Sequence, residues 1–496
     1  MSTGNMSGTQ YWNKKAIYSD ALSPKNIQPR GDSQMSFVRS LFRTKPIDSA
    51  PLQDQALRKC LTAFDLTILG IGAIIGAGVF VLTGIAAATQ AGPGIIFSYV
   101  LAALACAFTA LAYAELSASI GGCGSAYGYS MAGLGEIIGW LIGWDLLLEY
   151  TVACSAVAIG WSGYVQNALV AMNITLPAML TKNVFDGGFI NLPAVFIIVV
   201  VTTLLSIGVR ESTRINRIVV FIKLAVIALF IVLASFHFHP QVNWHPFLPF
   251  GWLGVASGAS LIFFAYIGFD AVSTAAEESI NPKRDLPIGI ILSLVICTVV
   301  YIVVAGLLTG SVHYTKLNVS SPVSFALLEM GYRFGSAVVA IGAIAGLSTV
   351  ILVMSYGLTR IFLAMSRDGL LPSTMAHVNP KTQTPVRIIL LSGVVMVFIA
   401  GFMPIHLVAE LTNIGTLAAF SLVCLGVIWM RYTKPDMPRP FKTPFSPLVP
   451  ALGVIFCGYL MSHLSHTVWR NFGIWMLVGV LIYFFYSRSH SVLGKS

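Results

Sequence analysis

Long apolar runs follow one another along most of the chain, separated by short polar stretches. Crossing a bilayer takes about 20 predominantly apolar residues. Twelve runs meet that need, at approximately 65–89, 93–119, 137–165, 190–209, 215–236, 252–276, 286–310, 335–364, 386–402, 407–430, 448–465 and 471–487. Residues 1–60 contain none and mix Gly, Ser, Asn and Gln with scattered Lys and Arg, the composition of a disordered tail. The pattern predicts an all-α membrane protein with twelve transmembrane helices.

Two runs depart from an ordinary spanning helix. The first carries four glycines within residues 70–78 (GIGAIIGAG), although a glycine inside a helix costs about 1 kcal/mol relative to alanine. The sixth places a glycine and a carboxylate in mid-span, in FFAYIGFD at 263–270. Discontinuous helices at corresponding places in two halves of a chain point to a transporter binding site. Spans one and six are five apart, and an odd repeat of five helices sets the second copy upside down, as an inverted repeat requires.

Composition and charge sharpen this picture. The chain of 496 residues is 56% hydrophobic and 10% charged, where a soluble domain carries about 25% charge, so much of its surface must face lipid. The net charge of +10 is topological. With the N-terminus in the cytosol, 24 of the 29 Lys and Arg fall inside, four fall outside, and Lys223 lies within a span. That bias supports twelve spans with both termini cytosolic and removes the case for nucleic-acid binding. The seven cysteines include no CxxC pair and mostly sit in apolar runs, so neither a disulfide framework nor a zinc site is expected. No cofactor or metal is expected.

A broken helix suits an amino acid zwitterion. The outer half begins with free N–H groups that attract a carboxylate, and the inner half ends with free C=O groups that attract an ammonium. The candidate carboxylate site is the backbone of Ala77 and Gly78. The candidate ammonium site is the carbonyl of Ile74 with those of Phe264, Ala265 and Ile267 from span six. The alternative is that Gly70, Gly72, Gly76 and Gly78 form a small-residue packing face. Phe264 is also a candidate gate aromatic, and Met354 in span eight a candidate side-chain contact.

These residues resemble the amino acid–polyamine–organocation transporter superfamily, and within it the cationic amino acid transporter family in its shorter twelve-helix bacterial-type form. The resemblance runs from about Leu57 to Arg431. It rests on GIGAIIGAGVF at 70–80, YAEL at 113–116 followed by Gly121 and Gly122, GWDLLLEY at 143–150 and FFAYIGFD at 263–270. Glu277 and Glu278 through Asn281 and Pro282 to Leu286 and Pro287, and TRIFLAMSRDGLLP at 359–372, complete it. Ala77 stands where many relatives have Thr or Ser. The family implies two inverted five-helix repeats, at 61–236 and 252–431, then two further helices within 432–487 and a cytosolic tail at 488–496. It also implies alternating access around discontinuous helices 1 and 6.

Charges inside spans are costly and usually functional. The resemblance places Lys223 where a lysine replaces the sodium ion of sodium-driven relatives, so that its proton can couple transport. The alternative is a snorkelling lysine, about 9 Å along the helix from Arg217. Glu149 adjoins the site in the family and is a candidate substrate ligand or a member of a proton relay. Asp145, Asp270 and Glu115 are read first as structural, and Asp65 as the N-cap of span one.

The expected function is secondary active transport of L-amino acids, as proton-coupled uptake with broad or small-neutral specificity. A cationic amino acid transporter, an amino acid exchanger and an amino-acid-binding membrane sensor are the alternatives. The expected partners are the amino acid, a proton as coupling ion and the lipid bilayer, and the expected location is a bacterial inner membrane. No nucleophile–base pair or metal cluster points to an enzyme.

Overall fold

In a computed structural model, residues 41–45, 61–120, 126–208 and 213–494 are described. Nearly all of the expected 1–60 tail lies outside them, as do Gly121 and Gly122. Residues from Phe42 onward form one compact unit. Every element longer than a single bridge is helical among the described residues.

The principal helices are α1 (Ala63–Ile74), α2 (Ile95–Ile120), α3 (Glu136–Ala171), α4 (Leu192–Ile207), α5 (Thr213–Ser235) and α6 (Gly251–Ile262). They continue with α7 (Pro282–Ser311), α8 (Arg333–Arg367), α9 (Val386–Phe402), α10 (Ile405–Thr433), α11 (Leu448–Ser462) and α12 (His466–Ile482). Eight helical stretches are long and apolar enough to cross a membrane, and α4, α9 and α11 are shorter apolar helices. The first stretch, Ala63–Ile120, has 58 residues and contains two of the expected runs. Gly92 divides it with φ +60°, ahead of Pro93.

Burial separates the helices into an inner and an outer set. In the most apolar windows of Ala63–Ile120, Glu136–Val170 and Gly251–Ala276, 89% of residues are buried, against 22% for His466–His490. The helix pairs α3–α8, α3–α10, α1–α7 and α2–α7 pack closely. Phe236, Leu253, Phe334 and Phe485 are among many exposed large apolar residues. An apolar surface of this extent matches lipid rather than water.

Long-range contacts fix the bundle ends. Trp144 stacks on Trp475 at 4.4 Å between ring centroids. Their indole N–H groups reciprocally donate to each other's backbone carbonyls, at 2.9 and 3.1 Å, which ties α12 to α3. Glu115, buried in α2, accepts two bonds from the Arg431 guanidinium at 3.0 and 2.6 Å and one from the Thr443 N–H at 2.7 Å. Arg439 stands 3.5 Å away. Breaking a buried pair from one side costs about 3–5 kcal/mol. Glu115→Ala is therefore expected to lower thermal stability strongly, as read by unfolding of the purified protein in detergent. An unchanged midpoint would show the network to be dispensable.

Candidate functional site

Both interrupted runs break. Thr62 caps α1 through a reciprocal box with Asp65. Asp65 is thus not the N-cap expected from sequence but the third helical residue, and it also pairs with Arg217. The hydroxyl one turn earlier does the capping because it reaches the free N–H first. At its other end α1 stops at Ile75, whose ψ of 98° is extended. A new helical segment starts at Ala77 and runs as a π-helix over Gly78–Leu82. α6 tightens into a 3₁₀ turn at Phe263–Tyr266 and stops at Ile267, with ψ 134°. Gly268 follows at φ +120°, a conformation that favours glycine.

The two breaks touch. A β-carbon on Gly78 would lie 2.3 Å from the Ala265 α-carbon. Gly70 is pressed against Ser293 of α7, and Gly72 against Val220 and Asn216 of α5. Gly76 differs, because a β-carbon there would meet Val350 at an ordinary 3.6 Å. Three of the four glycines therefore serve close packing, and Gly76, with room for a β-carbon, opens onto a small pocket that Gly78 also lines.

That pocket has a volume of about 10 Å³, and Ile74, Ala77, Gly78, Phe264, Ile267 and Met354 line it beside Gly76, Val157 and Val350. It holds about one water. Six of the expected site residues are brought together there. Ala265 lies behind Gly78 rather than in the lining. Glu149 is buried outside the lining, with one carboxylate oxygen unpartnered.

The backbone groups at the break are partly engaged. As the first residues of the outer segment, Ala77 and Gly78 present N–H groups with no intrahelical acceptor. The Ile74 carbonyl accepts from the Tyr301 hydroxyl at 2.9 Å, and the Phe264 carbonyl accepts from the Ile267 N–H at 3.3 Å. Lys223 is fully buried and donates to the carbonyls of Gly72 at 2.7 Å and Ile75 at 3.0 Å. Its stem would contact a β-carbon on Gly346 of α8 at 2.9 Å. The side chain turns into the bundle instead of snorkelling outward.

A second cavity, of about 330 Å³, shares Ala73, Ile267 and Met354 with the pocket. It extends to Leu61, Asp65, Arg217, Glu278 and Arg360, on the face where the basic loops lie. The pairs Asp65–Arg217 and Glu278–Arg360 stand at its walls, and the latter spans 3.3 Å. Tyr150 lines it and donates to Asp270 at 3.2 Å. Toward the opposite face, the Trp161 indole donates to Ser348 at 2.9 Å, joining α3 to α8. Sequence reasoning missed Tyr150, Tyr301 and the Arg360–Glu278 pair. Tyr150 and Arg360 stood inside quoted motifs, but no local signal marked what they would meet.

The family described as amino acid permease matches residues 61–485. The chain is 49% identical over 462 residues to the methylthioribose transporter of Bacillus subtilis (strain 168), covering 92% of this chain and 100% of the relative. It is 47% identical over 464 residues to the branched-chain amino acid permease BcaP of the same organism, covering 92% and 99%. The vacuolar cationic amino acid transporter 4 of Arabidopsis thaliana is 36% identical over 411 residues, covering 80% and 68%. With the match spanning both broken helices and the bundle around them, the chain belongs to the amino acid permease family of integral membrane transporters.

Proposed function

We propose that this protein moves L-amino acids with small or medium neutral side chains across a bacterial cell membrane, as a proton-coupled secondary transporter. The observation that carries the reading is the meeting of two broken helices at a small apolar pocket. The free N–H groups at Ala77 and Gly78 serve the substrate carboxylate, and the carbonyls of Ile74, Phe264 and Ile267 serve its ammonium. Val157, Val350, Phe264 and Met354 form the apolar wall that receives the side chain once the pocket widens around substrate, and that discriminates against cationic substrates. Ala265 supports the site from behind. Glu149, with its free oxygen, is a second group able to hold a proton, in addition to Lys223.

The topology follows from length. As continuous helix the 58 residues of Ala63–Ile120 would extend about 87 Å at 1.5 Å per residue, far beyond a hydrocarbon core of about 30 Å, so the stretch crosses twice with its bend at Gly92. Adding the three shorter apolar helices makes twelve spans, and the charge bias of the loops puts both termini in the cytosol. Helices α1 and α6, and α3 and α8, are five apart and central, as expected for inverted repeats at 61–236 and 252–431. The large cavity is then the cytosolic vestibule, and the conformation faces inward.

The test is uptake of labelled leucine, alanine and arginine into proteoliposomes under a pH gradient, acidic outside. Unlabelled amino acids and methylthioribose serve as competitors, the latter because a relative of that name is 49% identical. Gradient-driven accumulation, competed best by neutral aliphatic amino acids, is expected. Uptake that ignores the gradient and needs preloaded amino acid would identify an exchanger. Binding without flux would identify a sensor. Gly76→Ala should leave thermal unfolding unchanged, since its β-carbon has room. It should cut kcat/KM for leucine about tenfold more than for alanine, the range set by one methyl group in a fitted pocket. Equal loss for both substrates would place Gly76 outside the side-chain pocket.

A further inference from the structure

Away from the transport site, a groove of about 520 Å³ runs along the start of α7. Lys283 and Arg284 stand at its mouth, and Pro287, Ile288, Ile291, Leu292 and Val295 form its floor. Pro440 and Phe441, from the connection between α10 and α11, form the opposite wall. Arg284, Ile288, Ile291 and Val295 follow helical spacing on one face of α7. Lys283 and Arg284 are exposed, and neither has an ion-pair partner among the described residues. Leu292 and Val295 are also exposed, at 45% and 52%.

We propose that this groove binds one anionic phospholipid, with its phosphate on Lys283 and Arg284 and an acyl chain along Ile288, Ile291 and Val295. Two arguments select this occupant. The first is charge: two unpaired cations at the mouth of an apolar groove complement a phosphate joined to a hydrocarbon chain. Basic pockets beside transmembrane helices on the cytosolic side recognise such headgroups. The second is length. From Arg284 to Val295 the stripe extends about 16 Å at 1.5 Å per residue, close to half of a hydrocarbon core of about 30 Å. The groove thus spans one leaflet from headgroup level toward the midplane. A loop cation that only orients the protein needs no such continuation, and a helix-packing surface would leave no cleft beside Phe441. α7 packs on α1 and α2, and Gly289 and Ser293 on this same stretch meet Leu66 and Gly70 of α1, so a lipid seated here would brace a helix that holds the broken segment.

Native mass spectrometry of the full chain in detergent tests this, titrating phosphatidylglycerol against phosphatidylcholine of identical acyl chains. The wild type is expected to retain phosphatidylglycerol about 30-fold more strongly, from two surface cations at the strength usual for anionic membranes. K283Q/R284Q is expected to bring the two lipids level. Ile291→Trp, which fills the floor and leaves both cations, should weaken both lipids together. Unfolding temperatures in lipid-free detergent serve as the folding control, because all three positions are at least partly exposed. Equal affinity for the two lipids in the wild type would overturn the proposal. So would phosphatidylglycerol binding that survives the double substitution.

Discussion

Lys223→Ala is expected to abolish accumulation driven by a pH gradient, reducing it at least tenfold, while counterflow exchange stays measurable. The ammonium donates to two carbonyls, of Gly72 and Ile75, at the end of the inner half of the first helix. Hydrogen bonds to a charged group are worth about 1.5–3 kcal/mol each, so deletion also loosens the break. Lys223→Arg separates the two effects. Arginine keeps the charge and cannot give up its proton, so stability should recover while gradient-driven accumulation stays lost. Wild-type accumulation by Lys223→Ala would remove the lysine from the coupling mechanism.

The second large effect is expected at Gly78. A methyl group there would sit 2.3 Å from the α-carbon and 2.4 Å from the β-carbon of Ala265. Gly78→Ala must push the two broken helices apart along their backbones. Overpacking of this kind costs about 1–3 kcal/mol, and a displacement of about 1 Å at a positioned site costs about 100-fold in rate. Uptake should fall about 100-fold with a lower unfolding temperature. Adding Ala265→Gly removes the β-carbon and leaves the α-carbon, so the double variant should stay inactive. Recovery in the double variant would mean that the collision is only with the side chain.

The contrast between Gly76 and Gly78 shows where sequence reasoning stops. Composition and periodicity foretold an all-helical membrane protein, and the glycine run marked the region of the break, because a helix interrupted inside lipid needs residues without side chains. Which glycine is held tight and which has room for a side chain depends on neighbours more than 180 residues away, Ala265 and Val350, and no spacing rule supplies that. The same holds for Ala265, whose α- and β-carbons form the surface against which Gly78 rests. Glu149 and Tyr150 are adjacent, yet only the tyrosine lines the vestibule, since neighbouring positions on a helix point about 100° apart. Lys223 left two readings open in the sequence; its inward direction argues against snorkelling and leaves coupling to the transport assay. Asp65 was legible as a helix-start residue, but its second partner, Arg217, is 152 positions distant.

The shared wall of vestibule and pocket has a pharmacological consequence. A cavity of about 330 Å³ lies within the size range of small-molecule sites. A wedge-shaped compound could place an apolar tip between Ile267 and Met354 and a polar tail between Arg360 and Asp65. Such a molecule would hold the protein in one posture by differential affinity for it. Applied from the vestibule side, it would compete with substrate. Assayed by uptake from the other side, it would depress the maximal rate and leave the apparent affinity little changed, so the same inhibitor would carry two kinetic signatures.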